Sequence, residues 1–115
     1  MRNFYVLATA LDYIENNICN NFSLDVVAKV CSSSLSNLHK LFSYAFGYSI
    51  KDYIQRRRHS LACHDLVTTK MSILDIAIKY QYNSHEVFIR AFKKLRGESP
   101  STYRKNHSLP NLYQS

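Results

Sequence analysis

A chain of 115 residues, 46% of them hydrophobic, suffices for one domain or two very small ones, and a lone unit of roughly 50 residues would be marginal on its own. The formal charge of +7 and pI near 9.5 point to a polyanionic partner, with plain solubility as the bland alternative. Three cysteines (Cys19, Cys31, Cys63) without a CxxC pair give no disulfide framework or zinc finger, and no apolar run approaches the ~18 residues of a membrane span.

Leu7, Leu11, Ile14 and Ile18 recur at helical spacing and predict a first helix over about residues 4–19, with Asn20 and Asn21 as its left-handed stop. Phe4–Ala8 precedes an A-x-A triplet, but an apolar stretch of about five residues is too short for a signal core. Ser23 caps a second helix, 24–30, burying Leu24, Val27, Ala28 and Cys31. Ser32-Ser33-Ser34 reads as a turn whose last member caps a third helix, 35–46. That helix buries Leu38, Leu41, Phe42 and Ala45, shows Ser36, His39, Lys40 and Ser43, and stops at Gly47.

Ser49 and Asp52 have capping-box spacing and open the longest helix, 50–68, with an apolar stripe of Ile50, Tyr53, Ile54, Leu61 and Leu66. Ser72 caps a fifth helix, 73–80, burying Ile73, Ile76, Ala77 and Tyr80. The turn Gln81-Tyr82-Asn83 leads to Ser84 and a sixth helix, 85–95. It buries Phe88, Phe92 and Leu95 and exposes His85, Glu86, Ile89, Arg90 and Lys93 before Gly97 ends it. Ser99-Pro100 starts a short last helix, since proline suits the first helical position, and residues 106–115 read as a flexible tail.

The chain repeats itself. Ser34, Leu38, Lys40, Phe42, Gly47, Ser49 and Tyr53 return fifty residues later as Ser84, Phe88, Arg90, Phe92, Gly97, Ser99 and Tyr103. The charge follows the repeat, with −1 over residues 1–34, +4 over 35–70 and +5 over 79–115. The fold class is therefore all-α, with two helix-turn-helix subdomains at 1–49 and 71–105 joined by a linker helix, 50–70. A short helix, a tight turn and a second helix with a cationic outer face suit a DNA major groove about 12 Å wide. Two reading helices on one face of DNA need a separation of about 34 Å. A linker of 19 residues spans roughly 28 Å, the right scale once helix widths are added. One chain would then engage successive grooves as a monomer on an asymmetric site.

At these residues the chain resembles the AraC/XylS family of bacterial transcription regulators, over residues 5–105. The second copy carries the most specific likeness: Ile73-Leu74-Asp75-Ile76-Ala77, then Tyr82, Ser84, Phe88, Arg90, Phe92 and Lys93, then Gly97, Ser99, Pro100, Tyr103 and Arg104. The short stand-alone activators of stress and drug-tolerance genes look most similar, together with the DNA-binding part of their two-domain relatives. The resemblance implies binding to double-stranded promoter DNA, recruitment of RNA polymerase and a cytoplasmic, nucleoid-associated location. Carried onto matching positions, it assigns base reading to Ser36, His39 and Lys40 in the first copy and to His85, Glu86, Val87 and Arg90 in the second. Phosphate contacts fall to Arg57, Lys93 and the helix starts at Ser34, Ser84 and Ser99. Arg90 suits a bidentate pair with guanine; Lys40 suits a base or a phosphate; Glu86 suits a cytosine amino group or repulsion of phosphate. Ser32 and Gln81 stand where the family often has Gly, so a left-handed backbone there carries strain of about 1 kcal/mol.

Consecutive Arg56-Arg57-Arg58 point in three directions on a helix, so at most two face DNA together. His59, Cys63 and His64 make half a metal site at most, and no metal or other cofactor is expected. No nucleophile–base grouping, phosphate loop or carboxylate pair indicates an enzyme. The remaining alternative is an all-α protein-interaction module, such as a truncated antagonist of a related regulator. It would bind DNA with a salt slope near zero, against about −5 for a binder of about six phosphates.

Overall fold

In a computed structural model, residues 2–108 are described; the tail from Leu109 to Ser115, most of the segment expected to be flexible, lies outside them. The described residues form seven α-helices and no strand: α1 (Arg2–Asn16), α2 (Leu24–Val30), α3 (Leu35–Phe46), α4 (Ile50–Thr68), α5 (Ile73–Lys79), α6 (His85–Arg96) and α7 (Pro100–His107). The all-α, two-fold helix-turn-helix reading thus matches the architecture. Two compact units meet inside α4, one running to Arg57 and the other from Arg58.

Serine caps set the helix starts. Ser23, Ser34, Ser72, Ser84 and Ser99 are all extended, and each side chain accepts the amide of the third residue after it. Ser49 does the same for Asp52 at 3.0 Å. Gly47 and Gly97 end α3 and α6 in the left-handed region, at φ of 77° and 76°.

In the first unit the core comprises Val6, Ala10, Ile14, Ile18, Val27, Ala28, Cys31, Leu38, Phe42, Ile50 and Ile54. Helix α1 therefore turns a slightly different stripe inward than expected: Val6 and Ala10 are buried, whereas Leu7 and Leu11 are half-buried. It also starts and stops earlier than the expected 4–19. The amides of Asn17 and Ile18 bond back to Tyr13, Ile14 and Glu15 in a tightening turn, and neither Asn20 nor Asn21 takes a positive φ. Arg57 Nε and Nη2 each donate to Glu15 at 2.8 Å, tying the first half of α4 to α1. The Arg57 hydrogen bond and charge outweigh burial and hold the Glu15 carboxyl below its ordinary value.

The second unit is built around Phe88 and Phe92. Tyr82, Phe88, Phe92 and Tyr103 form a run of ring contacts with centroids 4.8, 5.8 and 5.3 Å apart, closed by Ala62, Cys63, Leu66, Ile76, Ala77 and Tyr80. Leu95, expected in this core, is 61% exposed, and its repeat counterpart Ala45, expected to be buried in the first unit, is exposed too. Both lie in the last turn before a glycine stop, where the helix has already run past its core. Asn106 and His107 are not frayed: both lie in α7 and bond to Glu98, at 3.1 and 3.4 Å.

Three polar anchors of this unit were invisible as such in sequence. Asp65 is 7% exposed and accepts from Lys79 Nζ at 2.8 Å and from Tyr80 Oη at 2.7 Å. Burial pushes its carboxyl up, but these two donors together win and hold it below the usual value. Burial, then the Asp65 bond, pushes the Tyr80 phenol up to about 12. Arg104 donates to the carbonyls of Leu66 and Met71 at 2.8 and 2.6 Å, satisfying acceptors around the C-terminus of α4 from α7. His59 is also buried; its Nε2 accepts from Arg96 Nε at 2.9 Å and its ring lies 5.0 Å from that of Phe92. Burial, then the Arg96 charge, lowers its pKa and keeps the imidazole neutral.

Candidate nucleic-acid interface

The two turns preceding α3 and α6 are the same object. Cys31 and Tyr80 cap the shorter helices, and Ser32 and Gln81 follow at φ of 53° and 67°. The amides of Ser33 and Tyr82 reach back to Ala28 and Ala77 at 2.9 and 3.0 Å, while those of Ser32 and Gln81 bond to Lys29 and Ile78. This paired pattern is the Schellman stop, here with a serine and a glutamine in the left-handed place that glycine fills most cheaply. The residues singled out in sequence for strain are the non-glycine residues with positive φ among those described.

Each turn delivers a helix with one buried and one open face. In α3, Leu38 and Phe42 are fully buried, while Ser36, Lys40, Ser43 and Tyr44 are exposed and His39 is half-buried. In α6, Phe88 and Phe92 are fully buried, while Glu86, Arg90, Lys93 and Lys94 are exposed, Val87 is 37% exposed and His85 is half-buried. Ser36 and Lys40, like Glu86 and Arg90, are four apart and share a face one turn above the cap. His39 and His85 flank that face rather than crown it. Ser34, Ser84 and Ser99 occupy the expected helix starts, but their hydroxyls are engaged by the amides of Asn37, Val87 and Thr102. The free amides of the first turn, not the serine side chains, are what such a start presents to an anion.

The guanidinium of Arg57, expected as a phosphate partner, is paired bidentately with Glu15 and is partly open to solvent. The arginine triplet does diverge, for Arg56 lies over the Tyr48 ring at 4.3 Å. Sequence reasoning passed over Lys94 and Tyr44. Their signal was the repeat itself, since they stand at equivalent places, one residue beyond Lys93 and Ser43.

Charge separates the two faces. In α6 a carboxylate in the first turn and Lys93, Lys94 and Arg96 in the last turn complement the helix dipole, whereas α3 has no acid in its first turn and no base in its last. The half metal site has no completing ligands: Cys63 Sγ lies 3.5 Å from His59 Nε2, and no cluster of three metal-binding side chains occurs among the described residues. No helix among them is long and apolar enough to cross a membrane.

Comparison with known proteins agrees with this geometry. A family model described as a helix-turn-helix domain matches residues 27–106. The chain is 37% identical over 99 residues to the HTH-type transcriptional activator AarP of Providencia stuartii, covering 86% of this chain and 73% of that protein. It is 33% identical over 99 residues to the regulatory protein SoxS of Salmonella typhimurium, covering 86% and 92%. Among solved structures, an AraC-type transcriptional regulator from Chromobacterium violaceum superposes with a TM-score of 0.84 at 25% identity, over 91% of this chain and 94% of that one. With two serine-capped helices set out by twin Schellman turns and a match spanning most of the sequence, the chain belongs to the AraC/XylS family of DNA-binding transcription regulators.

Proposed function

We propose that this protein is a transcription activator that binds an asymmetric promoter site as a monomer, with α3 and α6 in successive major grooves, and recruits RNA polymerase. The observation that supports it most is the recurrence of one exposed cation, Lys40 and Arg90, at the same station of two serine-capped helices whose opposite faces are buried. Base reading belongs to Ser36, His39 and Lys40 on α3 and to His85, Glu86, Val87 and Arg90 on α6. Phosphate is held by Arg57, by Lys93 and by the first-turn amides after Ser34, Ser84 and Ser99. Arg90 donates to both O6 and N7 of a guanine, and Glu86, four residues earlier, accepts from a cytosine amino group. The activator role rests on the likeness to AarP, a transcriptional activator by name. Genes of stress response or antibiotic resistance are the proposed targets and the cytoplasm the proposed site of action.

Selection of bound duplexes from a random pool tests the scheme. It should yield two unlike half-sites with centres about ten base pairs apart. Sedimentation should show one chain per duplex, and transcription with purified RNA polymerase should rise on a promoter carrying the site. A palindrome occupied by two chains would refute the monomer reading, and failure to enrich any sequence would refute the whole.

A further inference from the structure

Among the places where the outer faces of α3 and α6 differ, two adjacent stations lose their cations in α3. Where α6 carries Lys93 and Lys94, α3 carries Ser43 and Tyr44. Tyr44 is 93% exposed, the most open of the exposed large hydrophobic side chains among the described residues. It lies four residues after Lys40 and eight after Ser36, so the three share a face. Resting on the DNA-binding reading above, we propose that Tyr44 is a phosphate contact, its phenolic hydroxyl donating to a backbone oxygen at the wall of the groove that α3 enters.

Distance along the helix supports this assignment. Eight residues advance about 12 Å along the helix, enough to lead from the base edges out to one wall of a major groove about 12 Å wide. With the first turn of α3 at the base edges, its third turn reaches the sugar–phosphate wall. Tyrosine is among the ordinary donors to phosphate and loses little conformational freedom when it does so. The chemistry at this station therefore differs between the repeats. Lys93 and Lys94 bind phosphate as cations and release counterions, whereas Tyr44 binds it as a neutral donor and releases none. The first half-site is held by a contact that salt does not weaken.

The test is the affinity of the full chain for a duplex recovered by selection, measured across a series of KCl concentrations. Tyr44→Phe and Tyr44→Ala should each weaken binding about two- to tenfold, with the slope of log K against log salt unchanged. Tyr44→Lys should recover the affinity at low salt and steepen that slope by about one. All three should keep the thermal midpoint of the wild type, because the side chain is open to solvent. Wild-type affinity in Tyr44→Phe would overturn the hydroxyl contact, as would a loss of affinity that follows a loss of thermal stability. Absence of DNA binding by the wild type would instead remove the underlying reading, so the two failures are distinct.

Discussion

Ser32 and Gln81 show how much one backbone angle can say. An L-residue in the left-handed region crowds its Cβ against the following carbonyl, at a cost of about 1–2 kcal/mol. Ser32 is exposed, and its own backbone carbonyl accepts from Arg2 at 2.6 Å, a bond that does not depend on the serine side chain. Ser32→Gly should therefore stabilise the first unit by about 1 kcal/mol, less the entropy that glycine adds to the unfolded chain. Urea denaturation of both proteins would measure it; equal or lower stability of the variant would show that the turn is not strained. The same positions stood out in sequence through the family resemblance, because related chains often place Gly where Ser32 and Gln81 stand. Asp65, His59 and Arg104 were not legible as anchors. A charged or imidazole side chain in a helix reads as solvated unless its partner is known, and Lys79, Arg96 and the carbonyl of Met71 lie 14 to 37 residues away along the chain.

At the scale of the element, α3 and α6 are one design with two charge states. Both pack two side chains four apart against their own unit, and both stop at a left-handed glycine. Their outer faces carry the division of labour. Arg90→Ala should lower affinity by about 1–3 kcal/mol and relax preference at one base pair, read by binding to duplexes altered singly across the site. Lys93→Ala should weaken all sequences alike and flatten the salt slope by about one. Preserved base preference in Arg90→Ala would mean that α6 presents a different edge to the groove. The extent of α2, α3 and α4 was legible because serine caps and glycine stops are local signals. The stripe of α4 was harder. Its first half buries Ile50 and Ile54 within one unit and its second half buries Ala62, Cys63 and Leu66 within the other, so a single periodic stripe does not describe it.

Across the whole molecule the two units answer acid differently. His59 belongs to the second unit and is neutral when folded, with its pKa lowered from an ordinary 6.5 by burial and by Arg96. When the pH falls below that ordinary value, the unfolded chain takes up a proton that the folded chain refuses. Stability of the second unit therefore declines through that window, down to the lowered folded value. Asp65 adds a further loss at lower pH, once its lowered carboxyl is protonated and its bonds to Lys79 and Tyr80 are given up. In the first unit Glu15, also lowered, contributes stability that is lost only as the pH falls through its own folded value, beneath 4.5. Hydrogen-exchange protection factors of Phe88 and Phe92 should thus fall between about pH 7 and pH 5.5, while those of Ala10 and Ile14 hold. Parallel losses in both units, or an unchanged response in His59→Phe, would exclude the histidine as the cause.

By itself the sequence determined the all-α class, the duplication, nearly every helix limit from α2 to α6 and which face of each reading helix is open. These follow from caps, stops and periodicity, which act within one turn of helix. The tertiary structure decided which polar side chains are buried, that Arg57 clamps α1 instead of standing free, that Leu95 and Ala45 lie past the edge of their cores, and that Tyr44 stands open beside Lys40. Each of these depends on what a second element brings within a few ångströms, and spacing along a single helix carries no information about that distance.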